Sequence, residues 1–213
     1  MADNYLEKKM EEYRMRTAVG RAQSKPLVTL SRLLLKNRSY RGYDARFIVR
    51  EDQLRSIIAV NACIPSARNQ QALRFRPVLV DEAAKVTPLI RLGGALPHLG
   101  LPLPGTEPNA YIIVCSTIAE DRYVDIDLGI SAQSMLLRAV ELGLNGICIG
   151  AFDKQKIAET FGLKWEPLLI VAIGKGIERI ELEEIGVEGD RNYYREEGVH
   201  YVPKIRAEEL IIK

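Results

Sequence analysis

Apolar and polar residues along this chain alternate between strand-like and helical patterns. Short apolar runs predict buried strands over residues 75–80, 111–116, 145–150 and 167–173. Helical spacing predicts helices over residues 27–35, 50–64, 82–92, 125–142 and 154–161, the third of which is interrupted by Pro88. This alternation predicts a layered α/β or α+β domain.

The helix over residues 125–142 is apolar on more than one face and ends at Gly143, so we expect it to be central and buried. Residues 93–108 are rich in Gly and Pro and too long for a simple connection, which indicates a lid or an interface segment. The tail after Gly174 shows no clear core element.

The two ends of the chain need something to pack on. The first fifteen residues predict a helix with a narrow apolar stripe at Leu6, Met10 and Tyr13. We therefore divide the chain into a helical arm, residues 1–26, and one domain, residues 27–213, that includes an extended C-terminal arm. A partner subunit would give both arms a surface to cover.

Composition and charge exclude several classes of protein. The net charge of +2 is too small to indicate a nucleic-acid or membrane-surface protein. With His98 and His200 as its two histidines, the chain offers no His-rich metal centre, and we predict no metal and no membrane span. We expect both histidines to be structural or exposed. Cys63, Cys115 and Cys148 lie in apolar contexts, which predicts buried thiols in a cytoplasmic protein.

Three polar clusters could hold a ligand. Two arginines and a hydroxyl in Asn37-Arg38-Ser39-Tyr40-Arg41 suit a phosphate monoester. The loop Pro65-Ser66-Ala67-Arg68-Asn69-Gln70-Gln71 offers the donors and acceptors that a planar heteroaromatic ring needs. Lys204 and Arg206 alternate on an extended segment and should project to one side. Taken singly, each could equally be a solvated loop, a capped turn or a charged tail.

Together these motifs resemble the FMN-dependent nitroreductase family. Its opening signature, Arg-Arg-Ser-x-Arg, is matched at Ser39 and Arg41, while Asn37 replaces the first arginine. Its second signature, Pro-Ser-x-x-Asn-x-Gln-Pro-Trp-x-Phe, is matched at Pro65, Ser66, Asn69, Gln71 and Phe75, while Ala72 and Leu73 depart from it.

Three further motifs follow in the family's order. The segment beginning Asp127-Leu128-Gly129 is similar to the start of the family's central helix, and residues 142–150 are similar to its Leu-Gly-Leu-Gly-x-x-x-Ile-Gly. Some members place Glu where this chain has Ile149. The closing Lys-x-Arg is matched by Lys204-Ile205-Arg206.

The resemblance implies a fold, an assembly and a cofactor. The fold is α+β, a three-layer α-β-α domain with a central mixed, mainly antiparallel sheet, in an intertwined homodimer with FMN at the subunit interface. The residues implied for the FMN phosphate are Asn37, Arg38, Ser39, Arg41, Lys204 and Arg206. Those implied for the flavin ring are Pro65, Ser66, Asn69 and Gln71, with the backbone of Ile149 and Gly150 close to the reactive edge.

The implied activity is reduction of a nitroaromatic, a quinone or a related small acceptor with NADH or NADPH by a ping-pong hydride mechanism. The flavin carries the chemistry, so no catalytic side chain is predicted. A non-catalytic flavin-storage dimer and a specialised flavoenzyme with another acceptor stay open as alternatives. A classical nicotinamide dehydrogenase is disfavoured because Arg179 stands where its third motif glycine belongs. A nucleic-acid binder is disfavoured because acidic residues dilute the arginines of residues 38–55.

Overall fold

A computed structural model describes residues 8–10, 28–94, 96 and 99–212. Residues 8–10 are helical, and the rest of the predicted N-terminal arm lies outside the described residues. His98 lies outside them as well.

Four antiparallel strands form the central sheet. They are β1 (Leu73–Val78), β2 (Ala110–Ser116), β3 (Asn145–Ile149) and β4 (Glu166–Gly174). Their order across the sheet is β1-β2-β4-β3, so β3 is an edge strand and β2 lies inside. Every residue of β2 is buried, as its unbroken apolar sequence predicted.

Five helices lie around this sheet within residues 28–94, 96 and 99–212. They are α1 (Leu30–Lys36), α2 (Glu51–Ala59), α3 (Val80–Val86), α4 (Arg122–Glu141) and α5 (Lys154–Phe161). Helix α4 begins three residues before the predicted start because the Asp121 carboxylate accepts the N–H groups of Tyr123 and Val124. The predicted break at Pro88 is present: α3 ends at Val86 and a 3₁₀ turn follows over Thr87–Leu89.

Apolar side chains fill both faces of the sheet. Tyr111 and Ile113 of β2 pack on the face covered by α3 and α5. Ile112 and Val114 point to the other face, where Met135 of α4 and two residues of α2 lie. The result is three layers, helices on either side of a sheet, which confirms the predicted α+β, α-β-α fold.

A second, smaller sheet corrects the expectation that no clear element follows Gly174. It contains β5 (Arg179–Ile185), β6 (Tyr194–Glu196) and β7 (Val199–Ile205), with β7 in the centre. β7 is parallel to β5 and antiparallel to β6, whereas the four central strands are antiparallel throughout. We refer to it as the C-terminal sheet. Its strands carry many exposed acidic and polar residues, so they lack the apolar runs that mark buried strands.

The cysteines also differ from the prediction. Cys115 is buried in β2, but Cys63 and Cys148 are exposed. Cys63 follows the 3₁₀ turn Val60–Ala62, and Cys148 lies on the edge strand β3 with an open cavity beside it. An apolar sequence context did not ensure burial at the ends and edges of elements. No helix in the described part of the chain is long and apolar enough to cross a membrane.

Candidate functional site

A cavity of about 370 Å³ lies between the loop after α1, helix α4, strand β3 and the C-terminal sheet. We call it the cationic cavity. Among its lining residues are five from two separate predicted clusters, namely Asn37, Arg38, Ser39, Arg41 and Lys204. The structure therefore brings together residues from distant parts of the sequence.

Backbone hydrogen bonds hold the loop of residues 37–42 in place. The Tyr40 N–H donates to the Gly146 carbonyl of β3 over 3.3 Å. On the other side of the loop, the Glu178 carboxylate accepts the N–H groups of Arg41 and Gly42, the latter at 3.1 Å. The loop is thus fixed between the central sheet and the segment that leads into β5.

The two arginines of the cavity donate to backbone carbonyls but form no ion pair with a described residue. Arg41 is 8% exposed; its Nη1 donates to the Ser39 carbonyl at 3.0 Å, and its guanidinium lies 4.7 Å from the centre of the Tyr193 ring. Arg38 Nη2 donates to the Leu34 carbonyl at 2.6 Å, and desolvation lowers the pKa of Arg38. The Nε atoms of both arginines are buried without a hydrogen-bond partner.

The balance of charge in the cavity favours an anion. Lys204 is exposed and has no ion pair with any described residue. None of the described residues that line the cavity is Asp or Glu. Forked guanidinium donors and a lysine without a carboxylate are the groups that proteins use to bind phosphate.

Arg206 lies outside this cavity. Its Nε donates to the Glu209 carboxylate over 2.7 Å, and Arg206 is not among the lining residues. The prediction that Lys204 and Arg206 share a face assumed a continuing strand, but β7 ends at Ile205 and a 3₁₀ turn starts at Ala207. The structure therefore does not bring Arg206 together with the other predicted cations.

The loop of residues 65–71 lies at a second cavity of about 160 Å³, which we call the loop cavity. Pro65, Ser66 and Gln71 line it. The Gln71 N–H donates to Ser66 Oγ over 3.2 Å, and Gln71 Nε2 donates to Asn69 Oδ1 over 3.1 Å. Asn69 does not line this cavity, but it lies in the same exposed loop.

The backbone of this loop is strained. Arg68, Asn69 and Gln71 have φ angles of 51°, 53° and 46°, in the left-handed region that side chains other than glycine rarely adopt. Such strain persists only where surrounding contacts hold it, and it is concentrated at functional sites.

Ile149 and Gly150 follow Cys148, which lines the cationic cavity, but are not lining residues themselves. Ile149 is 2% exposed in the core at the end of β3, and Gly150 follows as an exposed residue. Neither lines the cationic cavity or the loop cavity.

Sequence reasoning missed several residues of the site. The buried Asp127 carboxylate accepts the Ala67 N–H at 2.8 Å and so fixes the strained loop to α4; its second oxygen has no partner in the described chain. Its signal in the sequence was an acidic residue in the helix that the apolar pattern predicted to be buried, although seven of the twenty residues of α4 are buried in the structure. Gln133, Cys148, Tyr193 and His200 line the cationic cavity, and only their tertiary contacts place them there.

Desolvation raises the pKa of the Cys148 thiol to about 11, although the side chain is open to the cavity, so the thiol is protonated at neutral pH.

Comparison with known sequences gives a family match in the middle of the chain. Residues 105–175, which run from the loop before β2 to the segment after β4, match the family described as "Nitroreductase family". A Methanocaldococcus jannaschii protein named "Putative nitroreductase" is 40% identical over 57 residues. That alignment covers 27% of this chain and 29% of the length of that relative.

Comparison with solved structures extends the likeness to most of the chain. A nitroreductase family protein from Streptococcus pneumoniae TIGR4 superposes with a TM-score of 0.60 at 17% identity, covering 72% of this chain and 93% of that one. A protein from Exiguobacterium sibiricum 255-15, described as a "putative nitroreductase in complex with FMN", superposes with a TM-score of 0.58 at 19% identity. The superposition covers 73% of this chain and 92% of that one.

A third structure, described as a "putative NAD(P)H:FMN oxidoreductase" from Staphylococcus epidermidis ATCC 12228, gives a TM-score of 0.58 at 21% identity. The superposition covers 75% of this chain and 92% of that one. At these identities the structural likeness establishes the fold. The family match in the middle of the chain and the fold of the solved structures agree with the resemblance that the ordered motifs carry. Residues 105–175 thus match the nitroreductase family in sequence, and the chain has the nitroreductase fold.

Proposed function

We propose that this protein is an FMN-dependent oxidoreductase that uses NADH or NADPH to reduce small acceptors such as nitroaromatics or quinones. The observation that carries the proposal is the cationic cavity. Arg38, Ser39, Arg41 and Lys204 line it, and none of the described lining residues carries a carboxylate. The orphaned Nε donors of Arg38 and Arg41 fit an acceptor-rich phosphate group.

The residues present divide into two binding roles. Arg38, Ser39, Arg41 and Lys204 would hold the FMN phosphate, with Asn37 at the edge of the cavity. Asn37 Nδ2 donates to Gln133 Oε1 over 3.3 Å, so it is tied to α4. Arg206 would act at this site only by giving up its ion pair with Glu209.

The strained loop supplies the second role. Ser66, Asn69 and Gln71, preceded by Pro65, would hydrogen-bond the edge of the flavin ring, and the backbone of Ile149 and Gly150 would lie beside it. When bound, FMN supplies the hydride transfer itself. The chain's own residues bind and orient the cofactor, and the Asp127 carboxylate keeps the loop in its strained form.

We also propose a homodimer in the cytoplasm. In one chain the cationic cavity and the loop cavity have different lining residues. A flavin would bridge the cationic cavity of one subunit and the loop of its partner. Helix α1 supports this assembly because Leu30, Leu34 and Leu35 are 62%, 41% and 66% exposed, respectively, which leaves an apolar surface for a partner.

The proposal is tested first by the absorbance of the purified protein and mass identification of any released chromophore. Lys204→Ala should weaken FMN binding about tenfold, because one charge-assisted contact to the phosphate is lost, and should leave riboflavin binding unchanged. Lys85→Ala, on α3 and away from both cavities, is the matched control and should change neither affinity.

A colourless protein that fails to bind added FMN would contradict the proposal. Oxidation of NADH and NADPH in the presence of a quinone or a nitroaromatic then separates a reductase from a flavin-storage protein. Flavin binding without such turnover would favour storage.

A further inference from the structure

His200 lies deep in β7 between two arginines. The residue is 2% exposed, and its Nε2 is 3.4 Å from Arg41 Nη1. A guanidinium nitrogen can only donate, so Nε2 is the acceptor of this contact. In the neutral imidazole the proton therefore resides on Nδ1.

The surroundings of His200 keep the ring neutral. Burial and the charges of Arg41 and Arg195 lower the pKa of His200 to about 4. Glu178 is engaged elsewhere, pairing with Arg195 and accepting the backbone N–H groups of Arg41 and Gly42. The Tyr193 ring packs edge-on against the imidazole at 5.2 Å.

The Nδ1 of His200 is buried without a hydrogen-bond partner, as are the Nε atoms of Arg38 and Arg41. All three residues line the cationic cavity. Buried donors nearly always have an acceptor, so three orphaned donors at one cavity indicate a ligand that offers several acceptor oxygens at once.

We propose that His200 is an additional anion-binding residue of the cationic cavity, whose neutral Nδ1–H donates to the same phosphate group that Arg38, Arg41 and Lys204 bind. The identity of that group as the FMN phosphate rests on the proposed function. A neutral donor adds a directed hydrogen bond without adding a charge, so His200 would favour a deprotonated phosphate oxygen in one position.

The two histidines of the chain make the contact accessible to nuclear magnetic resonance. With ¹⁵N-labelled histidine, and with His98→Gln to assign the signals, the free protein should show His200 protonated on Nδ1. Addition of inorganic phosphate should shift this N–H signal and slow its exchange with water, while the His98 signal stays in place. A His200 signal that is insensitive to saturating phosphate would overturn the proposal.

Substitutions separate ligand binding from packing. His200→Phe removes both nitrogens and should weaken FMN and inorganic phosphate about tenfold while riboflavin binding is unchanged. His200→Asn places an amide donor near the position of Nδ1 and should recover most of the affinity, whereas His200→Gln, whose amide reaches the position of Nε2, should recover less. Equal affinities of the Asn and Gln variants for FMN would show that His200 has a structural role only. Equal losses of affinity for FMN and for riboflavin would show the same.

The outcomes distinguish this inference from the proposed function. If inorganic phosphate shifts His200 but the protein binds no FMN, the flavin assignment fails and the anion contact holds. If FMN binds and neither FMN nor phosphate moves His200, the contact fails and the flavin assignment holds. If neither ligand binds, both fail.

Discussion

Glu178 joins the two parts of the candidate phosphate site at the scale of single residues. One carboxylate accepts the N–H groups of Arg41 and Gly42 and pairs with Arg195, so it fixes the loop and leaves the Arg41 guanidinium facing the cavity. The motif order indicated Arg41 and Lys204. It could not indicate Glu178 or His200, because their roles arise from contacts across more than one hundred residues of sequence.

The burial of His200 predicts a specific dependence of stability on pH. The pKa of His200 is about 4 in the folded chain and 6.5 ordinarily. Between these two pH values His200 is therefore protonated in the unfolded chain and neutral in the folded chain. The free energy of unfolding should fall by up to about 3 kcal/mol from this group as pH drops from 7 to 4, and should be independent of it above pH 7. Urea unfolding of the wild-type protein and of His200→Asn over this pH range measures the difference between their free energies of unfolding. The carboxylates are the same in both proteins, so their contribution cancels in this difference. Parallel pH curves would contradict the prediction.

Asp127 should act on the flavin ring and not on the phosphate. Asp127→Ala removes the acceptor of the Ala67 N–H, so the loop with three left-handed residues should relax. We expect affinity for FMN and for riboflavin to fall by the same factor, measured by fluorescence titration. Lys204→Ala serves as the comparison, because its effect should vanish with riboflavin. A loss confined to FMN would place Asp127 at the phosphate instead.

At the scale of elements, the interior of the molecule was the most predictable from sequence. The strand over residues 111–116 and the helix over residues 154–161 agree with β2 and α5 to within one residue, since both have strong local patterns and, for α5, a capping Asp153. The C-terminal sheet was missed because half-exposed strands are defined by their pairing partners rather than by their own sequence.

Gly146 allows the edge strand β3 to pack closely against its neighbours, so the position should be sensitive to substitution. A Cβ at this position would lie 2.5 Å from the Ala172 carbonyl oxygen and 2.7 Å from Leu136 Cδ2. Gly146→Ala should therefore lower the free energy of unfolding by about 1–3 kcal/mol. Gly129→Ala on α4 is the control: a Cβ there meets nothing within 4 Å, and the change should stabilise by about 0.5–1 kcal/mol. Urea unfolding of both variants measures this, and equal stabilities would contradict the steric argument.

At the scale of the whole molecule, the proposed site needs two copies of the chain. Light scattering of the flavin-loaded protein should give twice the 23.9 kDa of one chain. Replacing Leu34 and Leu35 by Ser should shift the protein towards monomers that release flavin, because the exposed face of α1 would lose its apolar surface. A monomer that retains flavin would contradict the shared site.

The contacts of Arg41 with Glu178 and His200, and the place of Lys204 in the same cavity, also have a consequence for biosynthesis. The loop that contains Arg41 is translated early, but its carboxylate anchor and its partners on β7 follow more than one hundred residues later. A growing polypeptide on the ribosome would therefore have no complete phosphate pocket until residue 204 has emerged. Binding of the proposed flavin should accordingly wait until that residue has emerged, and chains released before that residue should bind no flavin.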